Sequence, residues 1–299
     1  MQDDFFKDVK QIELKLPSGR VKLPTFYYDA RMLTVVLPAN WLKLKSMLPD
    51  PRFQPVQIFP GVGAVALTAF EYYDTDIEPY NELSMGILLN APQYLPVPGL
   101  NMLRQYLDRF MNVYIYHLPV TTEIALRGGI DYYNYPKFLT DIVFTDTDEQ
   151  VTCDLLRDDE HILTISGEKI ATRNVGEMKI MCNLYQYRQP QLAEFKMNVI
   201  EGTFSWLPSN VSWAFNRSND IGGVWADLVV GNRAVMYLYM PKIQFILYGP
   251  ENISIPLMQY ITLTSGFLPS TPARKPATKK PAAKKQAGKK AAARKKPAS

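Results

Sequence analysis

The sequence predicts an α+β fold, mainly antiparallel β, in which a large sheet curls or closes like a barrel and a few helices pack beside it. Three observations carry this. Short apolar or alternating segments rich in Val, Ile, Tyr, Phe and Thr recur along the chain, with the period of two expected of strands. Pro and Gly stand between them, as at Pro60-Gly61, Pro98-Gly99 and Gly249-Pro250. With 299 residues, 47% of them apolar and 12% aromatic, there is material for one well-filled domain.

The strand segments, in order, are 33–37, 64–72, 83–89, 113–116, 139–144, 151–155, 161–165, 179–187, 234–240 and 244–248. A helix is expected over 40–48, with Asn40 as N-cap, Trp41, Leu42, Leu44 and Leu48 on one side, and Pro49 as its stop. A second is expected over 101–110, with Leu103, Tyr106, Leu107 and Phe110 turned inward, away from Arg104, Gln105, Asp108 and Arg109. Gly128-Gly129 and Gly222-Gly223 read as turns or bulges. Cys153 and Cys182 each fall in an apolar alternation and read as small residues on a buried strand face, as suits a reducing compartment.

Charge divides the chain into a body, 1–269, and a tail, 270–299. The tail has eleven basic residues and no acidic ones; removing them from the chain's 33 leaves 22 basic against 29 acidic, a net of −7 for the body. Basic doublets begin at 274, 279, 284, 289 and 294, a spacing that spreads charge around a helix rather than along one face. Without large apolar residues the tail is expected to be disordered. It would contact nucleic acid or acidic surfaces, or serve as a solubilising appendage. No run approaches the ~18 apolar residues of a membrane span, and Met1-Gln2-Asp3-Asp4 begins no secretory signal. A cytoplasmic protein, without membrane contact, is expected.

Histidine is scarce, with only His117 and His161, and neither has a partner at metal-ligand spacing; HExxH, CxxC, GxSxG and GxGxxG are all absent. Zinc, serine-triad and nucleotide chemistry are therefore disfavoured. Lysine chemistry remains. Lys137 lies among Tyr132, Tyr133, Tyr135, Pro136, Phe138 and Leu139, with no other basic residue between Arg127 and Arg157. A nucleophilic amine must be neutral, and apolar rings disfavour the ammonium. Taken alone, the segment also reads as an amphipathic lysine at a Tyr-Pro turn with its head in water. Arg31 alone reads as a surface or strand-edge arginine paired with an acid, and Glu82 as a solvated turn residue. The tryptophans, Trp41, Trp206, Trp213 and Trp225, read as core or subunit-contact residues.

The Tyr135-Pro136-Lys137 sequence resembles the Schiff-base lysine segment of acetoacetate decarboxylases, a well-known case of an activated amine. Three further stretches match in order. Tyr27 to Val36 is similar to the family's N-terminal segment with its pocket arginine, here Arg31. Pro79-Tyr80-Asn81-Glu82-Leu83 is similar to the strand bearing its active-site glutamate, here Glu82. Tyr248-Gly249-Pro250-Glu251 resembles its C-terminal Gly-Pro. The resemblance runs over about 20–265. It implies a homo-oligomeric lyase that decarboxylates a small β-keto acid such as acetoacetate, without a cofactor, through an imine on Lys137. Arg31 would hold the substrate carboxylate or orient Glu82, and Glu82 would shuttle protons.

The chain departs from that pattern where the family has a second lysine, at Phe138, and at Ile130-Asp131, where an Arg-Glu pair is expected. The stretch between Glu82 and Lys137 is also longer. Relatives without the second lysine direct the same imine to aldol, retro-aldol or dehydration chemistry. A binding protein that works through its basic tail is the non-catalytic alternative.

Overall fold

The computed structural model describes residues 4–16, 19–186 and 188–252; the predicted tail, 270–299, and the end of the resemblance lie outside the described residues. A hairpin, β1 (Ile12–Leu16) and β2 (Gly19–Leu23), leads into β3 (Thr25–Asn40), α1 (Trp41–Met47), β4 (Val62–Thr75), β5 (Tyr80–Leu88), α2 (Leu100–Leu107) and β6 (Phe110–His117). Then come α3 (Glu123–Gly128), a π turn over Gly129–Tyr133, β7 (Asp141–Asp146), β8 (Gln150–Arg157) and β9 (Glu160–Glu168). The described chain ends with β10 (Gly176–Gln186), β11 (Gln189–Trp206), β12 (Val211–Phe215), α4 (Asp220–Leu228), β13 (Met236–Leu247) and β14 (Glu251–Asn252).

The strand order β10-β6-β5-β4-β3-β13-β11 closes on itself through β10–β11, forming the expected barrel. Closure leaves none of these strands with a free edge. Every strand pair around the ring is antiparallel except β10 with β6. The long strands alternate as side chains must in a sheet. Ala30, Met32, Phe70, Tyr72 and Phe245 fill the interior. Leu33, Val35, Leu67, Leu83 and Ile87 point outward and pack on Ile142, Val151, Cys153, Leu155 and Ile165 of a second sheet, β12-β9-β8-β7. Both cysteines are buried and free, as expected.

The predicted strands appear, with changes. Segments 234–240 and 244–248 merge into β13, whose register shifts between Met240 and Ile243 absorb the break at Pro241. Gly128, Gly129, Gly222 and Gly223 lie in helical turns, not in sheet bulges. In α1, capped by Asn40 accepting from Lys43 N–H, Leu44 is buried but Leu42 faces outward.

The predicted inner face of α2 is rotated: Tyr106 packs on the core and Arg104, Asp108 and Arg109 are exposed as expected, but the leucines are not inside. Asn101, Met102 and Gln105 are buried, whereas Leu103 and Leu107 are exposed and Phe110 belongs to β6. Buried backbone polar groups need partners, and those of the segments on either side of α2 find them in this helix. Asn101 Nδ2 donates to the carbonyls of Ala91, Tyr94 and Leu95, and its Oδ1 accepts from Ala91 N–H. Gln105 Nε2 donates to the Leu89 carbonyl, and its Oε1 accepts from Asn112 N–H. Leaving these groups unpaired costs more than exposing two leucines.

Trp225, on the buried face of α4, is fully enclosed, and its indole N–H donates to His117 Nδ1 at 3.2 Å. Burial pushes the His117 pKa down to about 4, against an opposing pull from Asp220. An unfolded histidine titrates near 6.5. The unfolded chain therefore binds the extra proton between about pH 4 and 6.5, so stability falls as pH drops through that window. Melting temperature is expected to decline from pH 7 to 4.5, corresponding to up to roughly 3 kcal/mol. His117→Gln should flatten the profile.

Candidate active site

One connector brings the two polar groups of the site together. After β6, residues 118–120 run between β5 and the Lys137 segment and bond to both. Leu83 N–H donates to the Pro119 carbonyl, while Leu118 N–H and Val120 N–H donate to the carbonyls of Pro136 and Phe138. The chain then turns through α3, capped by Thr122, and the π turn, and reverses at Asn134 in a left-handed conformation (φ 52°). Tyr135-Pro136-Lys137 follows.

Lys137 Nζ donates to Glu82 Oε2 at 2.8 Å, with side-chain exposures of only 6% and 10%. The amphipathic reading, with the head in water, is therefore not what the structure adopts. Tyr72 O–H donates to the other carboxylate oxygen, Oε1, at 3.0 Å. The Tyr27 and Tyr80 hydroxyls hydrogen-bond at 3.1 Å, and the Tyr80 and Tyr135 ring centroids lie 5.6 and 5.9 Å from Nζ. Burial, and then the charge of Glu82, push the phenols of Tyr72 and Tyr80 well above their ordinary range. They remain protonated donors. Lys137 and Glu82 open onto a cavity of about 60 Å³ inside the barrel, walled by Ala66, Phe70, Val113, Ile115, Phe195 and Leu247.

Gly129 supports the lysine by having no side chain. A Cβ there would lie 2.5 Å from both Cδ and Cε of Lys137. Neither Gly129 nor Tyr72 was among the sequence candidates. Tyr72 was legible, since it faces Tyr80 across β4–β5, one step from the Phe70–Glu82 pair.

Arg31 does not join them. It pairs across the sheet with Glu71, which pairs with Asn81, and alternation puts all three on the outer face. There Arg31 forms an ion pair with Glu71 at 2.5 Å, donates from Nη1 to Asp146 at 2.7 Å, and lies over the Phe144 ring. The inward neighbours are Ala30 and Met32. The expected pocket arginine is thus an outer clasp between barrel and second sheet, as the plain strand-edge reading had it. Arg31→Met is expected to lower the melting temperature, with far less effect on Lys137 reactivity than changes at Glu82; thermal unfolding and adduct rates separate the two.

The residues at the family's other positions also turn away. Phe138 packs among the outer cluster, its ring 6.1 Å from His117 and 5.9 Å from the Arg157 guanidinium, so it contributes nothing to desolvating the amine. Asp131 is exposed on the π turn. None of the four tryptophans lines the cavity, whereas Cys182 does, its thiol pushed up to about 12 by burial. No cluster of His, Cys, Asp and Glu able to hold a metal occurs among the described residues, and none of the described helices is long and apolar enough to cross a membrane.

Known proteins were compared with this chain. The acetoacetate decarboxylase family model matches residues 14–204. No curated protein matches. Among solved structures, an acetoacetate decarboxylase is similar at 14% identity and a TM-score of 0.53, covering 80% of this chain and 91% of its own. The acetoacetate decarboxylase of Legionella pneumophila gives 11% identity and 0.53, with 86% and 96% covered. The enduracididine biosynthesis enzyme MppR, in complex with pyruvate, gives 12% identity and 0.54, with 82% and 99% covered. At such identities the structures speak for the fold alone, but the family model spans well over half of the sequence. The barrel and the buried lysine thus have a common frame: this chain belongs to the acetoacetate decarboxylase family.

Proposed function

We propose that this protein is an imine-forming lyase in which Lys137 is the nucleophile and Glu82 its proton partner. The observation that carries the proposal is the buried Lys137–Glu82 hydrogen bond, 2.8 Å long, at the edge of a largely apolar cavity with no other charged group among the described residues. A proton passed from Nζ to Oε2 leaves a neutral amine beside a carboxylic acid. The amine attacks a carbonyl carbon. Glu82 then protonates the departing hydroxyl, and water leaves behind an iminium facing the regenerated carboxylate. The iminium draws electrons from a bond one carbon away, as a cofactor would.

Two outcomes remain for that bond. In decarboxylation of a β-keto acid such as acetoacetate, it is the bond to the leaving carbon dioxide. In aldol or dehydration chemistry it is a C–H or C–C bond, and this second reading is favoured by the outward position of Arg31. The tail-dependent alternative concerns residues outside those described.

Borohydride reduction in the presence of candidate carbonyl compounds, followed by peptide mapping, tests the proposal. A substrate-sized adduct should appear on the peptide holding Lys137 and vanish in Lys137→Ala. An adduct elsewhere, or none with any carbonyl compound, would remove the basis for imine chemistry.

A further inference from the structure

Building on that reading of Lys137, we infer that the site selects carbonyl compounds with no carboxylate beside the carbonyl, that is, uncharged ketones or aldehydes with apolar substituents. The inference rests on how charge is distributed around the cavity. Among the described residues, Lys137 is the only cation and Glu82 the only anion lining it. They already neutralise each other through a direct contact. Once an imine forms, the positive charge stays on the nitrogen and remains opposite Glu82. A substrate carboxylate on the next carbon or the one after would add a third, negative charge within a few ångströms of Glu82.

Among the described residues no second cation in the wall answers such a charge. The other polar groups lining it, on Tyr27, Thr68, Ser84 and Tyr135, are neutral; the Thr68 hydroxyl accepts from Thr34 at 3.0 Å and the Tyr27 hydroxyl pairs with that of Tyr80. Arg31, a planar guanidinium of the kind that receives carboxylates, is on the far side of the sheet and held by two acids. Arg109 lines a separate cavity that shares only Met111 with this one. An unpaired ion in an apolar enclosure is strongly disfavoured, and a like charge nearby adds to the penalty. An aliphatic or aromatic substituent meets Phe70, Val113, Ile115 and Phe195 instead.

The chemistry then follows without loss of carbon dioxide. Glu82 removes a proton from the carbon next to the iminium, and the C–H electron pair forms a neutral enamine. The enamine carbon attacks the carbonyl carbon of a second, aldehyde molecule. The new alkoxide takes the proton back from Glu82, and water hydrolyses the iminium, releasing a β-hydroxy ketone and the free amine. The reverse sequence cleaves such a compound.

Ester and acid pairs isolate the effect of charge. Full-length protein is treated with borohydride and acetoacetate or methyl acetoacetate, and separately with pyruvate or methyl pyruvate, and adduct on the Lys137 peptide is timed. The expected result is at least about tenfold faster labelling by each ester, corresponding to about 1.4 kcal/mol. In Ser84→Arg, which places a cation next to Glu82 on the same face, the preference should shrink or reverse. Pentan-2-one in D2O should exchange its α-protons with the wild type but not with Lys137→Ala. Equal or faster labelling by the acids in the wild type would overturn the selectivity while leaving imine formation at Lys137 intact. Absence of any Lys137 adduct would overturn both.

Discussion

Replacing Glu82 by Gln is expected to slow adduct formation at Lys137 by about 10²- to 10⁴-fold, the range associated with one positioned acid or base. The amide keeps the size of the carboxylate and can still accept from Tyr72, so the pocket shape is preserved. It cannot take the lysine proton, nor balance the iminium. A stability change should accompany the loss. Removing one partner of a buried ion pair strands the other, at a cost of about 3–5 kcal/mol unless the amine sheds its proton. Denaturant unfolding across pH separates those cases, because a variant that has lost the ammonium recovers stability as pH rises. Glu82→Asp, one methylene shorter, should retain more activity than Gln. An unchanged labelling rate in Glu82→Gln would refute the assigned role.

Gly129→Ala should reduce labelling more than tenfold while the protein stays folded. Gly129 has ordinary helical torsions (φ −68°, ψ −40°), so alanine meets no backbone objection. Helical Gly→Ala changes stabilise by up to about 1 kcal/mol. The obstacle is the lysine itself, whose Cδ and Cε occupy the space of the new methyl. In a Lys137→Ala background that collision disappears, and the same substitution should become neutral or stabilising. This sign reversal between backgrounds is a double-mutant coupling that a general packing defect would not produce.

The architecture was legible where apolar residues cluster and illegible where they alternate with charges. β3, β4 and β5 have near-continuous apolar runs because both faces are covered, one by the barrel interior and one by the second sheet. β11, the longest strand, is absent from the predicted segments. In it Ala193, Phe195, Met197 and Val199 point inward between Glu194, Lys196 and Asn198, so a search for apolar runs passes over it. α2 was found but its inner face was misplaced at Leu103 and Leu107, because periodicity weighs side-chain transfer and not the backbone groups that Asn101 and Gln105 satisfy. For the site, residue type and order pointed to Lys137 and Glu82, whose union depends on the connector between them. Arg31 failed on parity. A motif gives position along a strand, but a displacement of one residue exchanges interior for exterior.

The parallel β10–β6 joint has an effect on how this protein must assemble. Neighbouring strands that run the same way cannot be joined by a tight turn, so the chain has to leave the ring after His117 and come back at Gly176. Lys137 and most of the second sheet are borne on that excursion, whereas Glu82 belongs to the meander before it. Both closure of the cylinder and the meeting of amine and carboxylate join segments far apart in sequence, and recovery of reactivity after refolding is expected to lag behind the return of β-sheet signal.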